Sequence, residues 1–238
     1  MASRFAKLKE TLRYDGPLVF AWKVLTRVVS PFAELGGWIL FDVDLTQPRE
    51  EMKAKVDVEV REATAEDIER ISFFANLVYA RGSDPSDMGE YDPRHQKVER
   101  EYVSKIMLDR FERGAKCFIA TAGDQVAHVN WICIGWDHLF IPDRRFELGP
   151  DEVYTTDGYT TVAWRGKGVH EEVNNAMLLY ARRNGYKRAF TIAELGRRRS
   201  HKGLYRVGWK VTGKVITFKI RGRFFMVRLG GDISPLLR

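Results

Sequence analysis

The sequence predicts an α+β fold, with a mostly antiparallel sheet, helices packed on it and a helical extension ahead of it. Three observations predict this. From Val56 onward, strand-like and helix-like runs follow the order βααβββαβαββ. Two pairs of strand-like runs are joined by short turns, Ala122-Gly123-Asp124 and Arg221-Gly222-Arg223, the mark of antiparallel hairpins. One strand–helix–strand crossover sits between them, over residues 152–195.

The elements follow in order. Pro17 to Val29, PLVFAWKVLTRVV, reads as a helix with proline at its first position. Apolar residues cover most of its circumference and leave Lys23 and Arg27 on a narrow cationic stripe. Pro31 ends it, and GGWILFDVDL reads as a strand. The charged run QPREEMKAK marks the boundary between an extension, residues 1–50, and a main domain, residues 51–238. The extension either packs on the main domain or lies as a basic helix on a membrane surface through residues 1–45. It is too short and too charged to span a bilayer.

In the main domain VDVEVRE alternates with period two, placing Val56, Val58 and Val60 on one face. Thr64 to Asp67 reads as a capping-box helix start. Ile68, Ile71, Phe74 and Val78 follow at helical spacing. A polar loop leads to a second helix near 95–113, with Val98, Tyr102, Ile106 and Met107 inward. KCFIAT and QVAHVNWICIG form the first hairpin, and a longer loop covers 137–151. EVYTTDGYTTVAW is strand-like, being rich in Tyr, Thr and Val. Residues 170–184 read as a helix with Glu171 and Glu172 in its first turn and Arg182 and Arg183 in its last, charges that suit the dipole at both ends. KRAFTIAEL is a strand, SHKGLYRVGW a short helix ending at Gly208, and KVTGKVITFKI with FFMVRL the second hairpin.

Composition bounds the partners. The 238 residues carry 39 Lys+Arg against 32 Asp+Glu, a net charge of +7. The excess is concentrated: residues 181–210 hold ten cations and one acid, and residues 1–30 hold six cations and two acids. Such a balance favours an anionic partner, whether a phosphate, an acidic carrier protein or lipid headgroups. Nucleic acid is not expected, because no stripe of interleaved aromatics accompanies the charge. Cys117 and Cys133 lack metal or redox spacing, and no metal site is expected. The opening MASRFAKLKETLRYDG lacks the apolar core of a secretory signal, so the expected location is cytoplasmic, with a peripheral contact at the inner membrane face as the alternative.

Residues 162–173, VAWRGKGVHEEV, carry the chemistry. A strand passing through a glycine-rich turn into a helix presents backbone N–H groups at the helix N-terminus, and these with the dipole form an anion site. Gly166 and Gly168 let the backbone turn tightly and approach a ligand; Arg165 and Lys167 add charge. The ligand this predicts carries a phosphate or diphosphate. Neither GxxxxGK[ST] nor a GxGxxG on the first strand of a parallel sheet is present. The pattern R-x-x-G-x-[G/A] fits residues 165–170 except at His170.

With the element order, this loop resembles the GCN5-related N-acetyltransferase (GNAT) superfamily over roughly residues 56–229. The resemblance implies a six- to seven-stranded GNAT-like sheet. It implies that Arg165, Gly166, Lys167, Gly168, Val169 and His170 cradle the diphosphate of acetyl-CoA or another acyl-CoA. Pantetheine would pair with the edge near Thr160, Thr161 and Val162, on a bulged strand. His170 departs from the small residue usual there, and either crowds the diphosphate or points outward.

Acyl transfer to an amine needs a base for the amine proton and a donor for the leaving thiolate. The resemblance implies Asp157 or Glu152 as base, Asp157 being central in TTDGYTT, and Tyr205 as acid. Tyr205 lies three residues before Gly208, where the common pattern places it four before, a rotation of about 100° on a helix. His128 and Asn130 share a strand face, so one is a candidate for the acceptor pocket. Arg197, Arg198 and Arg199 either bind a ribose 3′-phosphate, an anionic acceptor or an acyl carrier protein, or are a solvated basic loop. The expected function is an acyl-CoA-dependent N-acyltransferase acting on a small-molecule amine. The alternatives are a long-chain N-acyltransferase using acyl carrier protein near a membrane, and a non-catalytic binding protein of the same fold.

Overall fold

The computed structural model describes residues 16–71, 105–138, 145–221 and 223–236. In chain order the elements are α1 (Pro17–Val29), β1 (Glu34–Asp44), β2 (Glu59–Glu62), β3 (Lys116–Ala122), β4 (Gln125–Cys133), β5 (Trp136–His138), β6 (Arg145–Glu147), β7 (Glu152–Thr160), α2 (Val169–Arg183), β8 (Arg188–Glu194), α3 (Arg198–Arg206), β9 (Lys210–Ile220) and β10 (Arg223–Gly231). Residues 68–71 and 105–112 are also helical. The fold is α+β, and the strand pairings with defined register are antiparallel. The chain divides into two units, Met1–Asp42 with Thr191–Leu237, and Val43–Phe190.

In the first unit β9 pairs with β1 on one side and β10 on the other. The paired glycines of β1 have separate tasks. A Cβ on Gly37 would lie 2.8 Å from the Trp22 ring of α1, so only glycine lets that indole settle on the strand. Gly36 leaves room on the other face for Trp38 Nε1, which donates to Thr217 Oγ1 at 3.0 Å. Phe41 is fully buried and meets the rings of His201 and Tyr205 from α3.

In the second unit the strand order is β7-β4-β3-β2. Its core joins Ile119, Val129, Trp131 and Val153 of the strands with Val173, Met177 and Leu178 of α2. The capping box at Thr64 and Asp67 forms, though on a 3₁₀ turn. Arg61 grips both carboxylate oxygens of Asp67 at 2.8 Å, and this guanidinium is the main cause that holds the Asp67 pKa down to about 2. Ile71 and Met107 are buried as expected; Phe74, Val78, Val98 and Tyr102 lie outside the described residues.

Among the described residues eight strands belong to the main strand order, close to the six to seven expected. The added strand is β1, which pairs with β9 from Glu34 to Asp42. The region expected as a long loop contains the ribbon β5–β6, closed by the Arg113 and Arg145 guanidinium groups over the Trp136 ring at 3.8 and 4.4 Å. The charged run near residue 50 lies across α2. Arg49 donates to Asn175 Oδ1, Asn175 Nδ2 to the Glu50 carbonyl, and the Ala54 amide to Glu172. Asn175 and Glu172 are therefore buried beneath this run.

Candidate anion-binding loop and strand bulge

β7 and β4 fall out of register in mid-strand. Val129 opposes Tyr159 and Trp131 opposes Thr156, so β7 carries one residue more than β4 over this span. The extra residue is a bulge at Asp157-Gly158. Asp157 sits at φ +55°, a left-handed conformation that aspartate tolerates better than most residues. Asn130 fills the space opposite: its Oδ1 accepts from the Trp131 amide at 2.9 Å, and a Cβ on Gly158 would lie 3.1 Å from its Nδ2. The Asp-Gly pair inside a strand-like run is the sequence signal for this bulge.

The bulge is tethered from below. Arg110, on the 105–112 helix, bonds Asp157 through one guanidinium nitrogen and Asp137 through the other, the latter at 3.1 Å. Arg110 and Asp137 are buried, and Arg113 adds a second guanidinium 3.8 Å from Asp137. Asp157, the carboxylate expected as base, is thus part of an ion-pair network. Glu152 is engaged as well: it accepts from the Gly149 amide at 2.9 Å and pairs with Arg188 at 3.3 Å. Arg110 carries no sequence signal, because nothing local tells a buried helix arginine from a solvated one.

Beyond the bulge β7 runs to Thr160, and Thr161 opens a 3₁₀ turn over Val162–Trp164. The Thr161 amide donates to Ala127 on β4, and the Thr160 carbonyl accepts from Arg165 Nε at 3.1 Å. Val162 is exposed and lies in the turn, beyond the strand. The loop then makes two left-handed glycines in three residues, Gly166 at φ +74° and Gly168 at φ +85°. Gly168 is the N-cap of α2, and no side chain caps that terminus. The Lys55 amide fixes the loop by donating to the Lys167 carbonyl at 2.8 Å. A Cβ on Gly166 would meet nothing within 4 Å, so the surface above this turn is open. Arg165 reaches over Tyr159 and Lys167 over Trp164, aromatic contacts that hold both cations beside that opening.

His170 does not point outward. Its ring lies edge-on to His128 of β4, with centroids 5.3 Å apart. His128 is buried, and its Nδ1 is 2.7 Å from Thr160 Oγ1 across the strand pair. The Nε2 atoms of both histidines are buried and have no hydrogen-bond partner among the described residues. Burial lowers both pKa values below the ordinary 6.5; His170 lowers that of His128 further, and Glu171 partly offsets the effect at His170. Two neutral imidazoles therefore lie beneath the loop.

A stability prediction follows with a definite sign. A histidine held neutral in the fold takes up a proton on unfolding, so stability rises with pH between its lowered native pKa and 6.5. Acidifying below neutrality should lower the urea midpoint, with a slope of at most about 1.4 kcal/mol per pH unit for each histidine. His128→Gln should flatten that slope, and an unchanged slope would remove His128 from the account. Asp67 acts in a separate window, since its stabilisation is present above its ordinary 3.8 and lost as pH falls toward 2.

Tyr205 lies in the first unit, half exposed on α3, with its ring edge-on to Phe41.

No protein-family model and no curated protein matches the sequence. Solved structures do match its fold. A GCN5-related N-acetyltransferase from Sphaerobacter thermophilus aligns with a TM-score of 0.55 at 12% identity, over 87% of this chain and 57% of its own. A GNAT-family acetyltransferase from Colwellia psychrerythraea aligns with a TM-score of 0.52 at 12% identity, over 80% of this chain and 58% of its own. A functionally unknown conserved protein from Staphylococcus epidermidis aligns with a TM-score of 0.53 at 13% identity, over 82% of this chain and 66% of its own. The chain spans less than two thirds of the length of each of these proteins.

Proposed function

The chain has the GCN5-related N-acetyltransferase fold, and on that premise we propose that it is an N-acyltransferase that takes its acyl group from acetyl-CoA or another acyl-CoA. One observation carries the reading: a bulged strand runs into a glycine loop with two left-handed turns, flanked by two cations, at a helix N-terminus that no side chain caps. A diphosphate is the ligand whose charge and size suit it. Arg165, Gly166, Lys167, Gly168, Val169 and His170 form the cradle in this reading. Thr160, Thr161 and Val162 flank the pantetheine. Because Arg165 holds the Thr160 carbonyl, the thioester arm requires that guanidinium to release it and turn to the phosphates. The acceptor in this reading is a small-molecule amine.

Asp157 is the first candidate for base, Glu152 the second, and Tyr205 the candidate acid. Asp157→Asn tests the base role cleanly, since asparagine keeps the size and one acceptor for Arg110 but takes up no proton at neutral pH. Turnover should fall about a hundredfold or more, as for loss of a general base, with coenzyme affinity near normal. Retained turnover would leave Asp157 as an anchor of the bulge only. The ion pairs of Asp157 with Arg110 and of Glu152 with Arg188 favour a second reading, a protein of this fold that binds the nucleotide without transfer.

The deciding experiment is calorimetric titration with acetyl-CoA, a long-chain acyl-CoA and free coenzyme A, followed by an assay for thiol release with an amine mixture. Binding with thiol release supports the enzyme, and binding alone supports the second reading. Absence of binding to all three overturns both, and a carrier-bound acyl donor is then the next ligand.

A further inference from the structure

The first unit carries an exposed apolar face among its described residues. On α1, Val19 is buried and Trp22 sits on Gly37, which fixes the inward side of the helix. At about 100° per residue, Leu18, Leu25 and Val28 fall on one stripe that turns away from Val19. They are 81%, 47% and 66% exposed, and Phe32 just beyond the helix is 81% exposed. By the same rotation Lys23 and Arg27 fall on the other side of the helix, Lys23 beside Val19 over Gly196, so the cations bordering this face belong to the sheet.

The β9–β10 hairpin extends the same side of the sheet. Gly37 pairs with Ile216, and Ile216 with Val227, so all three face the side that α1 occupies. By the same alternation Phe218, Ile220 and Phe225 share that face. Burial falls outward along it, from Gly37 and Ile39 under the helix to Phe225 and Val227, both exposed, on the edge strand. Lys214 and Arg223 occupy the ends of the same face by register.

Charge identifies the occupant. The segments 1–42 and 191–237 hold seventeen Lys/Arg against six Asp/Glu, net +11, whereas the rest of the chain holds 22 against 26, net −4. Two copies meeting through this face would set like charges against each other. An apolar face flanked by cations is complementary to a bilayer whose headgroups are anionic. No described helix is long and apolar enough to cross a membrane, so the contact lies in the interface plane.

We propose that the outer face of α1 and the exposed face of the β9–β10 hairpin together dock the protein on an anionic lipid surface. The proposal is independent of the coenzyme reading, since none of these residues belongs to the loop or the bulge.

The test is co-sedimentation of the full chain with vesicles of phosphatidylcholine alone and with added phosphatidylglycerol. The protein should pellet with the anionic vesicles, less with the zwitterionic ones, and should be released as salt rises. Leu25→Asp with Val28→Asp, and separately Val227→Asp, should each lower partitioning by about tenfold or more, since each removes buried apolar area and adds an anion at an anionic surface. These positions are exposed, so circular dichroism melting and coenzyme titration should match wild type. Absence of pelleting with either vesicle overturns the proposal, as does wild-type partitioning of both variants. Self-association without vesicles that Leu25→Asp abolishes would reassign the face to a second copy of the chain.

Discussion

Gly166→Asn is expected to weaken coenzyme A binding by at least about tenfold, equal to about 1.4 kcal/mol, while leaving the fold intact. The two effects separate because of where the glycine stands. At φ +74° an L-residue is strained, yet asparagine is among the side chains that best accept this region, so the cost to folding stays near or below about 1 kcal/mol. The added Cβ meets nothing within 4 Å, so no packing in the free protein is disturbed. The side chain instead enters the open space where a diphosphate would approach the backbone amides. Calorimetry measures the affinity, and a thermal melt shifted by only a few degrees establishes that the fold survived. Unchanged affinity would show that the loop does not hold the anion. Gly168 is a less clean position for this test, because its Cβ would lie 3.3 Å from the Ala54 backbone.

Arg110→Met is expected to be the most destabilising single change in the second unit, at about 3–5 kcal/mol, the range for removing one member of a buried ion pair. Methionine matches the length of the aliphatic stem but leaves the Asp137 and Asp157 carboxylates without their shared guanidinium. Arg113, 3.8 Å from Asp137, covers part of the loss and places the cost toward the lower end. Urea denaturation measures it. Adding Asp157→Asn to Arg110→Met should recover part of the lost stability, since the remaining group is then neutral. Additive losses would show that the pair is not coupled. Because the Arg110–Asp157 bond is what pins a non-glycine residue at φ +55°, the same variant should also loosen the bulge and reduce coenzyme affinity.

How much of this was legible follows from the range of the interactions. Pro17 to Val29 is the helix the sequence predicts, because a proline start, a proline stop and an apolar run act within a few residues of each other. The loop was legible for the same reason: two glycines and two cations before a helix specify their own backbone geometry. The pairing of β1 was not legible, since its residues read as a strand but its partner β9 lies more than 160 residues away. Nor was the packing of the linker, because Arg49, Glu50 and Ala54 are polar or small and find their partners on α2 only once that helix is in place.

By itself the sequence determined the α+β class, the two hairpins, the helices at 17–29 and 169–183, and a tight glycine turn between two cations at residues 165–168, all of which follow from local backbone preference and side-chain period. The tertiary structure alone decided that Asp157 is held by Arg110, 47 positions away, and that His170 turns inward onto His128. It also decided that Phe225 and Val227, on one side of the β9–β10 hairpin, are exposed. Period and propensity fix which face a residue takes, but not which distant group meets it there; that depends on register and packing across the whole fold.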